Sequence, residues 1–421
     1  MERFWETSKP AQITMETLKN IPDRRRQRIS TILAFSIIPL SGFATDIYIP
    51  SMPAMAAGLK ATSLQVQLTI SVFLISFGLA QLFVGAILDS FGRYKPGLAA
   101  LFLFILASVT IAGTDNIYLI YLMRIVHGIT VAFIVVAKRA YFVDVYEGPR
   151  LKSYLSIFTI IWSVGPIVAP FIGGYLQSSF GWHSNFYFLA IMAAIIGVSD
   201  LFFSRETLVN PAEFNLKKIA AVYYNMLTTT SFMLGVVMLG MAYSMVMVYN
   251  LTGPFIIQHK LHLSPVVIGY CSLILGFSWT VGGLIGKATV NRPFFSKLLL
   301  NLVLQLLFAI AMYLCLGKFS SLFTILFFAF IIHTCAGYTY NNYFTFNMSQ
   351  FPKNAGIAGG LMGGMVYVII SFLTYAIVYY IPAKDERNLN YSYLLLVTAS
   401  VIVMYMIYRL NKRTPAEIPG S

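Results

Sequence analysis

Twelve times along this chain the polar residues thin out for roughly 20 residues, the length a helix needs to cross the hydrocarbon core of a bilayer. The runs fall near 30–53, 64–88, 97–113, 117–138, 153–176 and 184–203, then 229–256, 266–287, 296–316, 320–347, 355–381 and 391–409. Only 10% of the 421 residues are charged and 58% are hydrophobic. A soluble domain carries about 25% charged residues, so this chain cannot cover a water-facing surface. The sequence predicts an all-α membrane protein with about twelve transmembrane helices in two six-helix bundles.

An even number of spans puts both termini on one side. On these boundaries roughly 23 Lys and Arg fall on the side of the tails and about 5 on the other, which predicts cytoplasmic termini by the positive-inside rule. The net charge of +14 is then a topology signal, and no nucleic-acid partner is expected. The expected organisation is a tail over 1–28, a bundle over 29–203, a cytoplasmic linker over 204–228, a bundle over 229–409 and a tail over 410–421. The first tail lacks the unbroken apolar core of a signal peptide. Cys271, Cys315 and Cys335 lie in apolar runs without disulfide or zinc spacing. The halves are weakly repeated: PSMPAMAAGLKATSLQVQLTISV after the first span is echoed by GPFIIQHKLHLSPVVIGYCSLIL after the seventh. Duplicated halves are a common build of rocking transporters.

The loop GAILDSFGRYK, with Gly85, Asp89, Gly92, Arg93 and Lys95, resembles the loop signature of the major facilitator superfamily. TDIYIPSMP (45–53), RIVHG (124–128) with RAYFVD (139–144), and GPIVAPFIGGYLQSSFGW (165–182) resemble its Bcr/CflA-type drug:proton antiporters. The resemblance is continuous over the first half and mainly one of layout over the second. It implies the major facilitator fold, a bacterial inner-membrane location and antibiotics or other toxic compounds as cargo. Ser90, Tyr94, His127 and Val143 depart from the pattern, and Lys287 stands at the second-half position matching Asp89.

The residues have physical readings beside the resemblance. Gly85 and Gly92 would permit close helix approach and a tight turn. Asp89 would accept hydrogen bonds at a helix N-terminus, where negative charge is favoured. Arg93 and Asp144 would form a latch that makes and breaks as the protein rocks; a solvated turn of topology charges is the plainer reading. Gly165, Pro166, Pro170, Gly173 and Gly174 within one span predict a kinked helix packed closely on a neighbour. That this motif marks an antiporter rests on the resemblance alone.

Asp46 is the acid placed well inside a span. A charge facing lipid there would cost several kcal/mol, so it is a functional candidate by default. Asp46 and Arg124 are each expected roughly 10 Å below the far boundary, counted at 1.5 Å per residue, and are natural partners across a water-accessible cavity. Burial and a nearby cation act on a carboxylate in opposite directions, and their balance changes with conformation. That makes Asp46 the expected proton carrier and Arg124 its tuner. A permanent ion pair pinning two helices is the structural alternative. His127, one turn from Arg124, is either a proton relay or a neutral hydrogen-bonding residue.

The second half offers aromatics and amides: Tyr243, Tyr249 and Asn250, then Trp279, then His333, Tyr338, Asn341, Asn342 and Tyr343. With Tyr48 and Gln67 of the first half, Tyr249, Asn250, Trp279, Tyr338, Asn341 and Asn342 form the expected substrate cavity, suited to amphipathic molecules and lipophilic cations. Interhelical packing is the alternative for each. The expected function is proton-coupled export of small amphipathic compounds. A dedicated metabolite or siderophore transporter on the same scaffold, as exporter or importer, is the first rival, and a non-transporting receptor or scaffold the second. No nucleophile–base set, metal cluster or phosphate loop appears, so no enzyme activity, cofactor or metal is expected. The expected partners are a small molecule, protons and the bilayer, with the chain acting as a monomer.

Overall fold

A computed structural model describes residues 24–209, 211, 216–316, 319–351 and 355–413. Most of the first tail and residues 414–421 of the last lie outside the described residues, as do Lys318 and Lys353 of the charge count. Among the described residues, twelve helical segments are long and apolar enough to span a membrane. The first six are Arg25–Gly58, Ser63–Phe91, Tyr94–Ala112, Ile117–Val145, Gly148–Phe180 and His183–Phe203. The second six are Thr230–Lys260, Pro265–Ala288, Phe294–Leu316, Leu322–Gln350, Ile357–Tyr380 and Glu386–Leu410. They are called the first to twelfth spans below. The side holding Arg25 and Leu410 is the tail side, the other the far side.

Hydrocarbon offers no partner to a peptide group, so the backbone closes its own bonds in helices. Their ends are set locally. Thr62 and Gln65 form a reciprocal cap before the second span. The Asn116 side chain accepts from Tyr118 and Leu119 at the start of the fourth. Gly92 (φ 95°) and Gly181 (φ 78°) end the second and fifth spans in left-handed geometry that a side chain resists. The fifth span runs longer than its apolar stretch predicts, beginning at Gly148.

Two departures from the sequence reading bear on function. The first span is not one helix: Leu40–Asp46 is a separate seven-residue segment, followed by a turn and a 3-10 stretch at Ile49–Ser51. Pro39 and Pro50 remove two backbone donors, which favours a break near each. The polar connection after residue 203 also contains a helix, Leu216–Thr228. Its Tyr223 hydroxyl donates to the Leu82 carbonyl at 2.7 Å and Met226 is buried, so it lies against the bundle.

In the first half the fourth span packs on the second and third, and the third on the sixth. In the second half the tenth packs on the seventh, eighth and ninth, and the twelfth on the seventh and ninth. The halves meet along two seams, second span on eleventh and fifth on eighth.

Candidate functional site

Asp46 ends the short helix Leu40–Asp46 and is 1% exposed. A helix that stops leaves its last carbonyls without intrahelical partners. Arg124, fully buried on the fourth span, supplies one: Nη1 donates to the Ala44 carbonyl at 2.8 Å. Its Nε donates to the Thr69 carbonyl at 3.3 Å. A cation at a helix C-terminus is also favoured by the aligned peptide dipoles. The guanidinium lies 4.4 Å from the Phe73 ring centroid and 4.9 Å from that of Tyr48. Both are distances at which a cation is drawn to a ring face.

The expected Asp46–Arg124 ion pair is not made here. Among the described residues no cation is in ion-pair contact with Asp46. Arg124 is committed to the two carbonyls, which the sequence could not reveal because the break was not anticipated. What remains is an unpartnered Oδ1 on Asp46 and an unpartnered Nη2 on Arg124, both buried.

His127 approaches Arg124 Nη1 through Nδ1 at 3.3 Å and Ser108 Oγ through Nε2 at 2.9 Å. Ser108 donates its own hydrogen to the Phe104 carbonyl at 2.8 Å. The assignment satisfying all three bonds has Nδ1 accepting from Arg124 and Nε2–H donating to Ser108, a neutral imidazole. Phe104 stacks on the ring with centroids 4.4 Å apart. Both ring nitrogens are thus occupied, an arrangement suited to orienting Arg124.

The fifth-span motif holds this centre from outside. Gly42 lies against Pro166 and Gly165, Gly165 against the Pro39 carbonyl, and Gly173 against the Ile47 carbonyl. Its other face meets the second half: a Cβ on Gly174 would stand 2.6 Å from the Pro265 carbonyl, and one on Gly269 would stand 2.9 Å from that of Pro170. The motif therefore touches the acid-bearing segment and the eighth span together.

Across from Asp46 stands a ring cluster. Tyr243 is 5.4 Å from Trp279, 6.3 Å from Tyr340 and 6.4 Å from Tyr367, between centroids. Phe77 of the first half closes on Tyr367 at 4.8 Å. Sequence reasoning named Tyr243 and Trp279 and missed Tyr340 and Tyr367; the pairing of the eleventh span with the second was the missing signal.

The other expected cavity residues scatter. Tyr249 belongs to a separate buried group with His333, which bonds the Tyr393 hydroxyl at 2.9 Å. Asn250 is half-buried, with Nδ2 3.9 Å from Met247 Sδ. Tyr338 bonds Thr289 at 2.9 Å, and Asn342 donates to the Tyr338 carbonyl at 2.9 Å. Asn341 is exposed. Tyr48 bonds Thr69 at 2.7 Å beneath Arg124. Gln67 donates to the Leu251 carbonyl at 2.7 Å and so ties the halves together. These contacts put packing, capping or seam closure where direct cavity lining was expected.

At the tail-side loop Arg93 reaches Asp144 at 3.2 Å and Asp89 at 2.8 Å. Asp89 is solvated and does not cap another helix; that place is taken by Glu206, which sequence reasoning missed. Its carboxylate accepts from the Arg93 and Tyr94 N–H groups at 2.9 and 3.0 Å, at the start of the third span. Partial burial pushes the Glu206 carboxyl up, but four backbone N–H groups outweigh it and hold it below its ordinary value. A side chain on Gly92 would collide with this carboxylate, which is why glycine suits the turn. Gly85, by contrast, has open space beside it, so the close approach expected there is absent. Asp200 is joined to Lys138 at 2.6 Å.

Twelve spans in paired bundles, with a buried acid and a cation around a broken helix, define a helical membrane transporter. The family model described as the Major Facilitator Superfamily matches residues 34–374, and the chain belongs to that family. It is a transporter and not an enzyme. It is 28% identical over 364 residues to the uncharacterized MFS-type transporter YdgK of Bacillus subtilis, covering 85% of this chain and 90% of that one. It is 27% identical over 342 residues to the multidrug resistance protein MdtL of a Shewanella strain, covering 79% and 84%. Among solved structures it resembles the nucleoside transporter NupG (TM-score 0.69, 15% identity, 91% and 99% covered). It also resembles a D-xylose-proton symporter (TM-score 0.68, 15% identity, 90% and 97% covered).

Proposed function

We propose that this chain exports small amphipathic organic compounds in exchange for protons, by alternating access between bundles spanning 29–203 and 229–409. The observation that carries the reading is Asp46: a buried carboxylate with an unpartnered oxygen, on a broken helix, beside a cation and across from an aromatic cluster. In this reading Asp46 carries the proton, Arg124 tunes it and His127 positions Arg124. Trp279 and its ring neighbours bind cargo. Arg93, Asp89 and Asp144 latch the tail side, Gly92 shapes that turn, and Gly165, Pro166, Pro170, Gly173 and Gly174 couple the acid to the seam between halves.

With Asp46 charged, its unpartnered oxygen and Arg124 Nη2 await polar or cationic groups of cargo. With Asp46 protonated, that demand falls and cargo leaves. Each proton moved inward supplies about 2.3 kcal/mol per 100 mV. The relatives support the cargo class: one carries the name multidrug resistance protein MdtL. Another, the bicyclomycin resistance protein homolog of Haemophilus influenzae, is 30% identical over 179 residues. The charge asymmetry supports a bacterial inner membrane with both termini cytoplasmic.

The test is proton flux in reconstituted vesicles on adding candidate compounds. Export of a lipophilic dye against its gradient, abolished by an uncoupler and by Asp46→Asn, is the expected result. Undiminished uphill export by Asp46→Asn would remove the carrier assignment.

A further inference from the structure

Amide side chains in the second bundle find partners on the backbone. Gln305, Asn342, Asn347 and Asn390 each donate to a carbonyl, at 2.9, 2.9, 3.2 and 2.9 Å. Asn250 does not. Among the described residues its one polar contact is the Met247 thioether, a weak acceptor 3.9 Å from Nδ2. Removing an amide from water without new hydrogen bonds is costly, so this side chain is the unsatisfied one of the set.

The seventh span shows where Asn250 points. No residue over 231–258 is exposed, so this stretch has no lipid face. Over 242–257 only Tyr243, Val246 and Asn250 are half-buried, and the rest are buried. At 100° per residue these three fall within an arc of about 60°. They form one stripe, and Tyr243 at its tail-side end belongs to the ring cluster. Asn250 stands about 10 Å farther toward the far side, at 1.5 Å per residue. The span faces the first half there: it touches the Ile49–Ser51 stretch, and the Leu251 carbonyl accepts from Gln67.

Asn250 is also the second half's counterpart of Asp46. Pro50 stands four residues after Asp46, and Pro254 four after Asn250. Neither proline has an N–H to offer the carbonyl four residues back. Before the next span each stretch then passes through a non-glycine residue of left-handed φ, Lys60 at 51° and His262 at 54°. The side chains differ in what they recognise. An ionised carboxylate only accepts hydrogen bonds, whereas an amide both accepts and donates and carries no charge. Three residues before its buried histidine, the second half has Phe330 where the first has Arg124.

We infer that Asn250 is a specificity-determining residue that takes an uncharged group able to donate and accept together, a carboxamide, imide or hydroxyl, from cargo whose aromatic body lies against the Tyr243–Trp279 cluster about 10 Å away. The cargo class rests on the export reading above, but its binding does not require transport. A molecule without the donor leaves the Asn250 amide oxygen unmet, and a site built around a polar group rejects analogues that lack it.

Two tritiated probes test this: an aryl-alkyl primary carboxamide with about 10 Å between ring and amide, and its isosteric methyl ketone. Each is titrated against the purified chain in lipid nanodiscs. The carboxamide should bind about fivefold tighter, the effect of one added hydrogen bond. Asn250→Leu, which keeps the shape of the side chain, should bring that ratio to about one. Asn250→Ser, which restores a neutral donor and acceptor, should recover part of it. Equal binding of the two probes by the unaltered chain, or a preference that survives Asn250→Leu, would overturn the assignment. Proton-coupled uphill export of the carboxamide is measured beside binding. If the preference depends on Asn250 while neither probe is exported, the export reading falls and the amide site stands. If the carboxamide is exported with a preference indifferent to Asn250→Leu, the site falls and the export reading stands.

Discussion

The two halves each bury a histidine on the helix that packs at the centre of its bundle, and surround it differently. In the first half, His127 sits between Arg124 and Ser108, next to a broken helix ending in Asp46. In the second half, His333 bonds Tyr393 and faces Tyr249, with no charged side chain in contact among the described residues. The first arrangement leaves an acid and a cation incompletely satisfied, and the second is neutral throughout. A buried charge without its partner is costly, and keeping one makes sense where the charge is to be changed. On the proposed reading, titration belongs to the first half, while the second supplies rings and shape.

Asp46→Asn breaks the comparison most completely, since it makes the first half as neutral as the second. Uphill export should fall to background in vesicles with an imposed pH gradient, while downhill movement of the same compound persists. Next in size is Arg124→Met. It strips the Ala44 and Thr69 carbonyls of their donor, and a buried unsatisfied group costs about 1–3 kcal/mol. Both thermal stability and coupled transport should drop. Retention of both would mean the carbonyls find other partners.

Gly174→Val tests whether the motif transmits between halves. Its side chain would press on the Pro265 carbonyl, so the far side should open. Labelling of a cysteine placed at Leu251 by a membrane-impermeant reagent from the far side should rise. Unchanged labelling would confine the motif to packing. His333→Asn is the matching probe of the neutral half. Losing the Tyr393 bond should cost roughly 1 kcal/mol in unfolding measurements and leave the proton requirement intact; loss of proton coupling would dissolve the contrast.

The smallest effect is expected at Glu206. Its folded-state pKa is depressed, so its contribution to stability is complete above the unfolded value, about 4.3. That contribution is lost as pH falls through the lower folded value. Glu206→Gln should flatten this acid-side loss in a thermal-stability profile below about pH 4.3 and leave neutral-pH export near normal.

The architecture was legible because hydrocarbon imposes one demand, about 20 apolar residues per crossing, and the chain meets it twelve times. Asp46 was legible for the same reason: it violates the pattern. Its relation to Arg124 was not, because depth along a helix says nothing about where a guanidinium points, and the break that freed the Ala44 carbonyl depends on tertiary support from Gly165 and Gly173. Glu206 was hidden because it lies in a polar connection where acids are ordinary, and only Gly92's geometry gives it a purpose. The ring cluster was half legible. Tyr243 and Trp279 stood out as polar aromatics, but selecting Tyr340 over Tyr338 required the rotation of the tenth span.

The Tyr223–Leu82 bond changes what the inter-bundle connection is. A tether that only joins two bodies tolerates cutting and relengthening. A strut that donates into the wall of the second span is fixed to it in orientation as well as in reach. Tyr223→Phe should therefore unfasten the brace from the bundle it steadies.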